Sequence, residues 1–270
     1  MQKKGRQQLL LGKKSIESFA DYVNFIQKNC KSDSILFRGQ RQNKPLLPRI
    51  ARIDLTSDLI TVEKQIFTEF KRQSIPYLDY KPQTDWDWLA LMQHYGLPTR
   101  LLDWTLNPLA ALWFAVRKPP ATDKDGNPMP GGVWIFPTSS KNFVSSTDTT
   151  SPFTTKDSLI FRPNHITRRI VAQSGWFTVH RYMEDEKHFL PLERNAKYIF
   201  SLVKINVPAS LFPELRTELS RFGINSATMF PDLEGLGAYI EWTNSYLSDE
   251  VQEEGGQKAQ SGLISTFVEK

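Results

Sequence analysis

Three groups of polar residues stand out in this sequence because their side chains could bind an anionic ligand and react with it. They are Arg38, the cluster of Arg100, Asp103 and Thr105, and the acidic residues Asp232 and Glu234. A guanidinium group makes two parallel hydrogen bonds to a phosphate or carboxylate. A carboxylate binds hydroxyl groups, stabilises a developing positive charge and accepts a proton. The residue types therefore suit anion binding combined with acid–base chemistry.

The middle cluster lies in the segment of residues 86–116, whose pattern predicts how the cluster is positioned. An amphipathic helix is expected to end at Gly96, with Pro98 preventing its continuation. A second helix is expected to begin with Asn107 as its cap and Pro108 in its first turn, and it is apolar on nearly every face, as in a buried helix. The residues at the ends of these elements are candidate ligand contacts: His94, Tyr95, Arg100, Asp103 and Thr105.

Arg38 follows a short apolar run that predicts a strand over residues 34–38. The strand would deliver Arg38 and Gly39 at its C-terminal end. Gly39 has no Cβ atom and allows close approach of a neighbouring group, which an anionic ligand would use. The alternative role for Arg38 is an ion pair with a core carboxylate such as Asp103, which could equally pair with Arg100, because an unpaired buried charge is strongly unfavourable.

The rest of the sequence predicts helices and strands around these residues. Helices are expected from Ser15 onward and over residues 57–74, 208–222 and 231–242, with Glu63 on a solvated face of the second. Strands are expected over residues 133–136, 170–180, 198–205 and 224–230. The pattern predicts the α+β class, a single domain with a small mixed or antiparallel sheet flanked by helices. That domain would cover residues 15–245, between a basic N-terminal arm at 1–14 and a mobile acidic tail at 246–270.

Several familiar catalytic arrangements are not predicted. The four histidines show no pairing at ligand spacing, so no metal site is expected. The sequence has no glycine-rich phosphate loop and no Gly-x-Ser-x-Gly motif. Cys30 is the single cysteine, which rules out an intrachain disulfide and fits a reducing compartment.

The charge balance predicts the class of partner. The formal net charge is +5 and the isoelectric point is about 9.2, which favours an anionic partner such as nucleic acid. Without an apolar run of membrane-spanning length, the chain is expected to be cytoplasmic and to have no membrane partner.

Three motifs resemble the FRG domain family, which is named after its Phe-Arg-Gly motif. They are Phe37-Arg38-Gly39, the run Gln93-His94-Tyr95-Gly96-Leu97-Pro98-Thr99-Arg100-Leu101-Leu102-Asp103-Trp104-Thr105, and Phe230-Pro231-Asp232-Leu233-Glu234-Gly235. The resemblance spans roughly residues 15–245. It implies a bacterial or phage effector, such as the toxin of a toxin–antitoxin pair or an antiphage defence protein, with an antitoxin or chaperone as a protein partner.

The order and types of the candidate residues also resemble those of ADP-ribosyltransferases. By that resemblance Arg38 would bind the substrate NAD, Thr105 or Asp103 would orient it, and Glu234 would be the catalytic carboxylate, with Asp232 second. The resemblance also implies an ADP-ribosyltransferase-like core, and the basic charge favours RNA as the acceptor. The sequence departs from that pattern, since it has no Ser-Thr-Ser segment, Glu234 is not part of a Glu-x-Glu or Gln-x-Glu pair, and Glu234 is expected in the first turn of a helix.

Two other functions remain open at this stage. One is a non-catalytic module that binds nucleic acid or a protein through Arg38, Arg41, Arg49 and Arg52. The other is a metal-dependent nuclease that uses Asp103, Asp232 and Glu234. For Asp232 and Glu234, helix capping and complementing the helix dipole would equally explain the residue types.

Overall fold

A computed structural model describes residues 14–32, 34–78, 81–139, 142–144, 151–163 and 175–250. Within these residues the chain forms helices α1 (Phe19–Asn29), α2 (Leu59–Gln73), α3 (Asp85–His94), α4 (Pro108–Val116), α5 (Phe212–Arg221), α6 (Ser226–Met229) and α7 (Leu233–Thr243). The strands are β1 (Lys14–Ser15), β2 (Ile35–Gln40), β3 (Leu101–Thr105), β4 (Gly131–Pro137), β5 (Leu159–Phe161), β6 (Gly175–Val179), β7 (Tyr182–Met183), β8 (His188–Phe189) and β9 (Val203–Val207). The predicted α+β class is confirmed.

The chain divides into two compact units, each assembled from separate stretches of sequence. The first unit comprises Met1–Asn43, Asn107–Ile135 and Val203–Lys270, and the second comprises Lys44–Leu106 and Phe136–Leu202. The predicted domain bounds, as well as an ADP-ribosyltransferase-like core, stay predictions.

In the first unit the strands lie in the order β1, β9, β4, β2. Strand β1 is parallel to β9, and β4 is antiparallel to β9. Helix α4 packs on β2, and the Tyr22 hydroxyl of α1 donates a 2.7 Å hydrogen bond to the Pro108 carbonyl at the start of α4. The core is apolar and includes Phe37, Leu112 and Leu215.

Helix α4 forms as the sequence predicts. The Asn107 side-chain oxygen accepts hydrogen bonds from the backbone N–H groups of Leu109 and Ala110 at 2.9 and 3.2 Å, and Pro108 occupies the first turn. These contacts satisfy donors that a helix N-terminus otherwise leaves unpaired. Where α4 meets Gly39 of β2 its residues are Ala111 and Ala115, whose small side chains let the two backbones approach closely.

The second unit contains helices α2 and α3 and the strands β3, β6 and β5, which lie in that order. Both pairs are antiparallel, and the register places Leu101 opposite Val179 and Asp103 opposite Phe177. Strands β7 and β8 form a separate short hairpin. The core of this unit is rich in aromatic residues, among them Trp86, Trp88 and Phe177.

Local signals explain both ends of α3. A capping box joins Thr84 and Asp87 at its N-terminus. After its last turn the backbone turns left-handed at Gly96, where φ is 75°, and the Leu97 N–H donates to the Met92 carbonyl at 3.0 Å. The predicted break at Gly96 is confirmed, and it leads the chain directly into β3.

Two predicted strands differ from the structure. Residues 224–230 were predicted as a strand, but Ser226–Met229 form α6, because Asn225 and Thr228 make a capping box that starts a helix. The strand predicted for residues 198–205 begins only at Val203. Residues 198–202 instead form turns, in which backbone N–H groups donate to the carbonyls of Asn195 and Tyr198.

Several predictions concern segments that the structure describes only in part. The basic arm before Lys14, residues 170–174 of the strand predicted over 170–180, and residues 251–270 of the acidic tail lie outside the described residues. Asp249 and Glu250, also assigned to that tail, accept hydrogen bonds from the buried Arg216 at 2.7 and 3.0 Å. Among the described helices, none combines the length and the apolar character that crossing a lipid bilayer requires.

Candidate functional site

The central polar group of the second unit is the carboxylate of Asp103. It lies exposed in the middle of β3, between the buried residues Leu102 and Trp104. Both of its oxygens accept hydrogen bonds from the Gln93 side-chain amide, each at 3.0 Å. The last turn of α3 therefore holds this carboxylate in place.

A short relay of hydrogen bonds determines how Gln93 is oriented. The Leu101 backbone N–H donates to the Thr99 hydroxyl at 3.1 Å, and that hydroxyl donates to the Gln93 side-chain oxygen at 2.7 Å. Because the amide oxygen is engaged by Thr99, the amide nitrogen must face Asp103. The orientation of the carboxylate thus depends on residues on both sides of the Gly96 turn.

The 3-10 turn Arg49–Arg52 before α2 supplies two arginines to this region, and Arg52 interacts electrostatically with the Asp103 carboxylate. The pKa of Arg52 is lowered, chiefly because the guanidinium is partly buried, while the Asp103 carboxylate acts to raise that pKa and the positive charge of Arg49 acts to lower it further. Arg49 also donates a hydrogen bond to the Gly96 carbonyl. Positive and negative groups thus occur together around the Gly96 turn.

Next to this turn, His94 and Tyr95 form an aromatic pair. Their ring centroids are 4.8 Å apart in an edge-on arrangement. Tyr95 is exposed, whereas His94 is half-buried. Of the two predicted contacts, Tyr95 is therefore the more accessible to a ligand.

Arg100 has a different environment from the one expected. It is only 2% exposed and makes two hydrogen bonds to the carboxylate of Glu63, one of them at 2.8 Å from Nε to Oε1. Its Nη1 donates to the carbonyls of Pro152 and Phe153 at 3.2 and 3.3 Å. The carboxylate that pairs with Arg100 is thus Glu63 and not Asp103, and the expectation that Glu63 is solvated was wrong.

Thr105, the last residue of β3, is also buried. It lies opposite Gly175 in the antiparallel pair of β3 and β6. Arg100 and Thr105 thus lie before and after Asp103 along the chain, and both are buried in the second unit. Of the three residues in the predicted middle cluster, Asp103 presents its side chain to solvent.

Arg38 and Gly39 lie on β2 of the first unit, and both are half-buried. A Cβ atom built on Gly39 would lie 1.8 Å from the Ala111 carbonyl oxygen of α4. The close approach that Gly39 permits is therefore made by a helix of the same unit.

The two acidic candidates of the first unit occupy the start of α7. Asp232 is the helix cap, and its Oδ1 accepts a 2.8 Å hydrogen bond from the Gly235 backbone N–H. Glu234 lies exposed in the first turn of the helix. The capping role considered for Asp232 is confirmed, and both residues are exposed.

The candidate residues are distributed over the two units. Arg38, Gly39, Asp232 and Glu234 belong to the first, and the remaining candidates belong to the second. That they share one cavity stays a prediction.

The described residues contain no group of three or more His, Cys, Asp or Glu side chains arranged to hold a metal ion. His180 is buried and its ring nitrogens lie 3.2 Å from the Thr178 hydroxyl and 3.4 Å from the Leu190 carbonyl. His188 lies beside Glu186. These histidines fit the ordinary polar roles expected for them.

Two residues that shape the Asp103 site were missed from sequence: Gln93 and Thr99. Gln93 and Thr99 both lie in the motif run, six positions apart and on either side of the Gly96 turn. A turn of that kind brings its flanking residues together, so this signal was present in the sequence. Arg52 was named from sequence as a nucleic-acid contact, but no local pattern indicated that it interacts with Asp103.

Comparison with known proteins identifies part of the chain. Residues 33–124, about a third of its length, match the FRG domain family. This range contains the Phe-Arg-Gly motif and the central run, whereas the late segment from Phe230 to Gly235 lies outside it. Searches of the curated proteins and of the solved structures returned no significant match. Residues 33–124, including the Gly96 turn and Asp103, are thus an FRG domain.

Proposed function

We propose that this chain is an NAD-dependent ADP-ribosyltransferase-like effector that modifies nucleic acid, with RNA as the favoured acceptor. The observation that carries the proposal is the exposed Asp103 carboxylate, which Gln93 and Thr99 hold in one orientation with the Arg52 guanidinium nearby. A carboxylate of fixed orientation suits the hydroxyl groups of a ribose, and a guanidinium suits a diphosphate. Together they match the two polar parts of a dinucleotide.

The roles of the remaining candidate residues follow from the resemblance to ADP-ribosyltransferases together with the burial of each side chain. Arg38 binds the diphosphate of NAD, and His94 and Tyr95 line the substrate site, whereas Gly39 packs against α4. Arg100 and Thr105 act from the interior by holding β3, since both are buried. Asp103 orients the ribose.

In the proposed reaction the bond between ribose C1′ and the nicotinamide nitrogen breaks, and nicotinamide leaves with the bonding electrons. Positive charge develops on the ribose, and the Glu234 carboxylate stabilises it. An oxygen or nitrogen of the acceptor then bonds to C1′, and its proton passes to Glu234. Glu234 suits this role better than Asp232, whose carboxylate caps α7.

Incubation of the purified chain with NAD labelled in its adenylate phosphate, together with total cellular RNA, tests the proposal. We expect label in RNA that ribonuclease releases and protease does not. Glu234→Gln and Arg38→Lys should reduce labelling at least a hundredfold. Glu241→Gln, which removes another exposed carboxylate of α7, should leave labelling unchanged. Absence of label in both RNA and protein with the wild-type chain would exclude the proposed activity.

The second candidate function is a nucleic-acid-binding module without catalysis. It is favoured by the exposure of Arg41, Arg49 and Arg52 and by the net charge of +5. It requires binding that weakens steeply as salt rises, without turnover of NAD. Neutralising Arg49 and Arg52 together would then reduce affinity and the salt dependence.

A further inference from the structure

The second unit contains an apolar cleft beside the Asp103 site. It is formed where α2 ends, where the 3-10 turn Ile75–Tyr77 follows, and where α3 reaches the Gly96 turn. Its volume is about 380 Å³, and it is open to solvent on one side. The residues that line it are Phe70, Gln73, Ser74, Tyr77, Leu78 and Tyr95. A cleft of this size accommodates a small planar ring system.

Two tyrosines of this cleft are largely exposed. Tyr77 is 85% exposed and Tyr95 is 61% exposed. Aromatic side chains with open faces are the surfaces on which nucleobases stack. The edge-on contact with His94 restrains the Tyr95 ring. The cleft therefore offers aromatic faces that the fold of this unit leaves largely in solvent.

Ser74 contributes a hydroxyl group to the lining of the cleft. The residue is 7% exposed, and its Oγ atom is buried without a hydrogen-bond partner among the described residues. Its backbone N–H donates to the Phe70 carbonyl at 2.9 Å, so the group that lacks a hydrogen bond within the described part of the chain is the side-chain hydroxyl. A buried hydroxyl without a partner destabilises a protein, and a polar atom of a bound molecule would remove that penalty.

A positive group lies at the Tyr95 side of the cleft. Arg49 donates a hydrogen bond to the Gly96 carbonyl, one residue beyond Tyr95, and its side chain is exposed. A guanidinium carries five N–H donors, so one hydrogen bond to a carbonyl does not exhaust its capacity. A phosphate attached to a ring in the cleft would find its counter-charge here.

We infer that this tyrosine cleft binds a nucleobase. The ring stacks on Tyr77 or Tyr95, one of its polar atoms hydrogen-bonds to Ser74 Oγ, and its phosphate contacts Arg49. The inference deepens the proposed function, on which it rests for the class of ligand. The base belongs either to a free nucleotide or to an unpaired nucleotide of RNA, because the same ring and phosphate occur in both.

Binding measurements on the full-length chain distinguish these sources. The probes are a fluorescently labelled single-stranded adenine hexaribonucleotide, an abasic hexamer of the same charge, and AMP. We expect the adenine hexamer to bind at least fivefold more tightly than the abasic one, as stacking predicts. Binding of AMP as well assigns the cleft to free nucleotides, and binding of the hexamer alone assigns it to RNA. Equal affinity for the two hexamers together with no binding of AMP overturns the inference.

Variants separate recognition from folding. Tyr77→Ala and Tyr95→Ala should each weaken binding at least fivefold, and Tyr95→Phe should retain it because the ring remains. Ile75→Ala, at a neighbouring residue that is exposed but does not line the cleft, is the matched control. Ser74→Ala should weaken binding while leaving the melting temperature unchanged or higher, since it removes a buried hydroxyl that has no partner.

The outcomes also separate this inference from the proposed function. Suppose that Glu234→Gln binds the probe like the wild type but the wild-type chain labels no acceptor from NAD. Nucleobase binding by the cleft is then supported, and the transferase activity is excluded. If the wild-type chain labels RNA while the tyrosine variants bind and label normally, the transferase stands and the cleft assignment fails. Wild-type affinity in both alanine variants contradicts the inference in either case.

Discussion

Arg100 and Glu63 form a fully buried ion pair in which the guanidinium makes two hydrogen bonds to the carboxylate. The pair joins the start of β3 to the middle of α2, 37 residues earlier in the chain. The Phe153 and Phe189 rings lie 4.9 and 5.4 Å from the guanidinium carbon. Arg100 directly precedes β3, and the exposed Asp103 lies three residues later in that strand. The buried ion pair therefore helps to position the strand that carries the candidate site.

Removing one member of this pair should destabilise the chain strongly. Arg100→Ala or Glu63→Ala leaves a buried charge without its partner, and we expect a loss of about 3–5 kcal/mol in the free energy of unfolding. Urea denaturation followed by tryptophan fluorescence measures it. Arg72→Ala, which breaks the exposed pair with Glu69, is the control and should have no detectable effect. A similarly small effect for Arg100→Ala would contradict the structural role.

Gln93→Leu should impair the Asp103 site without unfolding the chain. The variant keeps the size of the side chain but loses the amide that binds both carboxylate oxygens. We expect a loss of about tenfold in NAD labelling, about 1.4 kcal/mol of transition-state stabilisation. Gln65→Leu, at an exposed position of α2, controls for the added apolar surface. Equal kcat/KM in Gln93→Leu and the wild type would show that the orientation of Asp103 is unimportant.

Gly39→Ala should destabilise the first unit. The added Cβ would collide with the Ala111 carbonyl oxygen, so α4 must shift away from β2. We expect a loss of about 1–3 kcal/mol, the usual effect of overpacking. Gly237→Ala in α7 is a matched control, because nothing lies within 4 Å of a Cβ there, and it should stabilise the helix by roughly 0.5–1 kcal/mol. Thermal melting of both variants gives the comparison, and tolerance of alanine at position 39 would refute the packing role.

Substitutions at Asp232 should separate capping from catalysis. Asp232→Asn retains a side-chain oxygen that can accept from the Gly235 N–H, so both stability and labelling should persist. Asp232→Ala removes the cap and should lower stability by about 0.5–2 kcal/mol. Denaturation and NAD labelling are measured on both variants. Loss of labelling in a fully stable Asp232→Asn variant would instead make Asp232 the catalytic carboxylate.

The Cys30 thiol should react slowly in the native chain. Partial burial raises the pKa of this thiol from 9.0 to about 11. The thiolate, which is the reactive form, is disfavoured until the pH approaches that value. At pH 8 we expect alkylation by iodoacetamide to be about a hundredfold slower in the folded chain than in urea, and to accelerate as the pH rises toward 11. Comparable rates in the two states would show that the thiol is exposed and unperturbed.

Where local chemistry decides the structure, the sequence was sufficient. The helix that starts at Pro108 was predicted from Asn107, and the end of α3 from Gly96, because caps and left-handed turns involve residues only a few positions apart. The same reasoning failed at residues 224–230. Their apolar pattern suggests a strand, but the capping box of Asn225 and Thr228 is stronger than that pattern over so short a segment.

The sequence alone determined the α+β class, the FRG motifs, the end of α3 and the start of α4, and it named Asp103, Asp232 and Glu234 as carboxylates worth testing. Only the tertiary structure decided which polar groups are partners: Glu63 for Arg100, Gln93 for Asp103, and a helix carbonyl as the neighbour of Gly39. The physical reason is that capping and turns depend on neighbours along the chain, whereas pairing and burial depend on distances through space. Long-range packing sets those distances, and no local pattern records them.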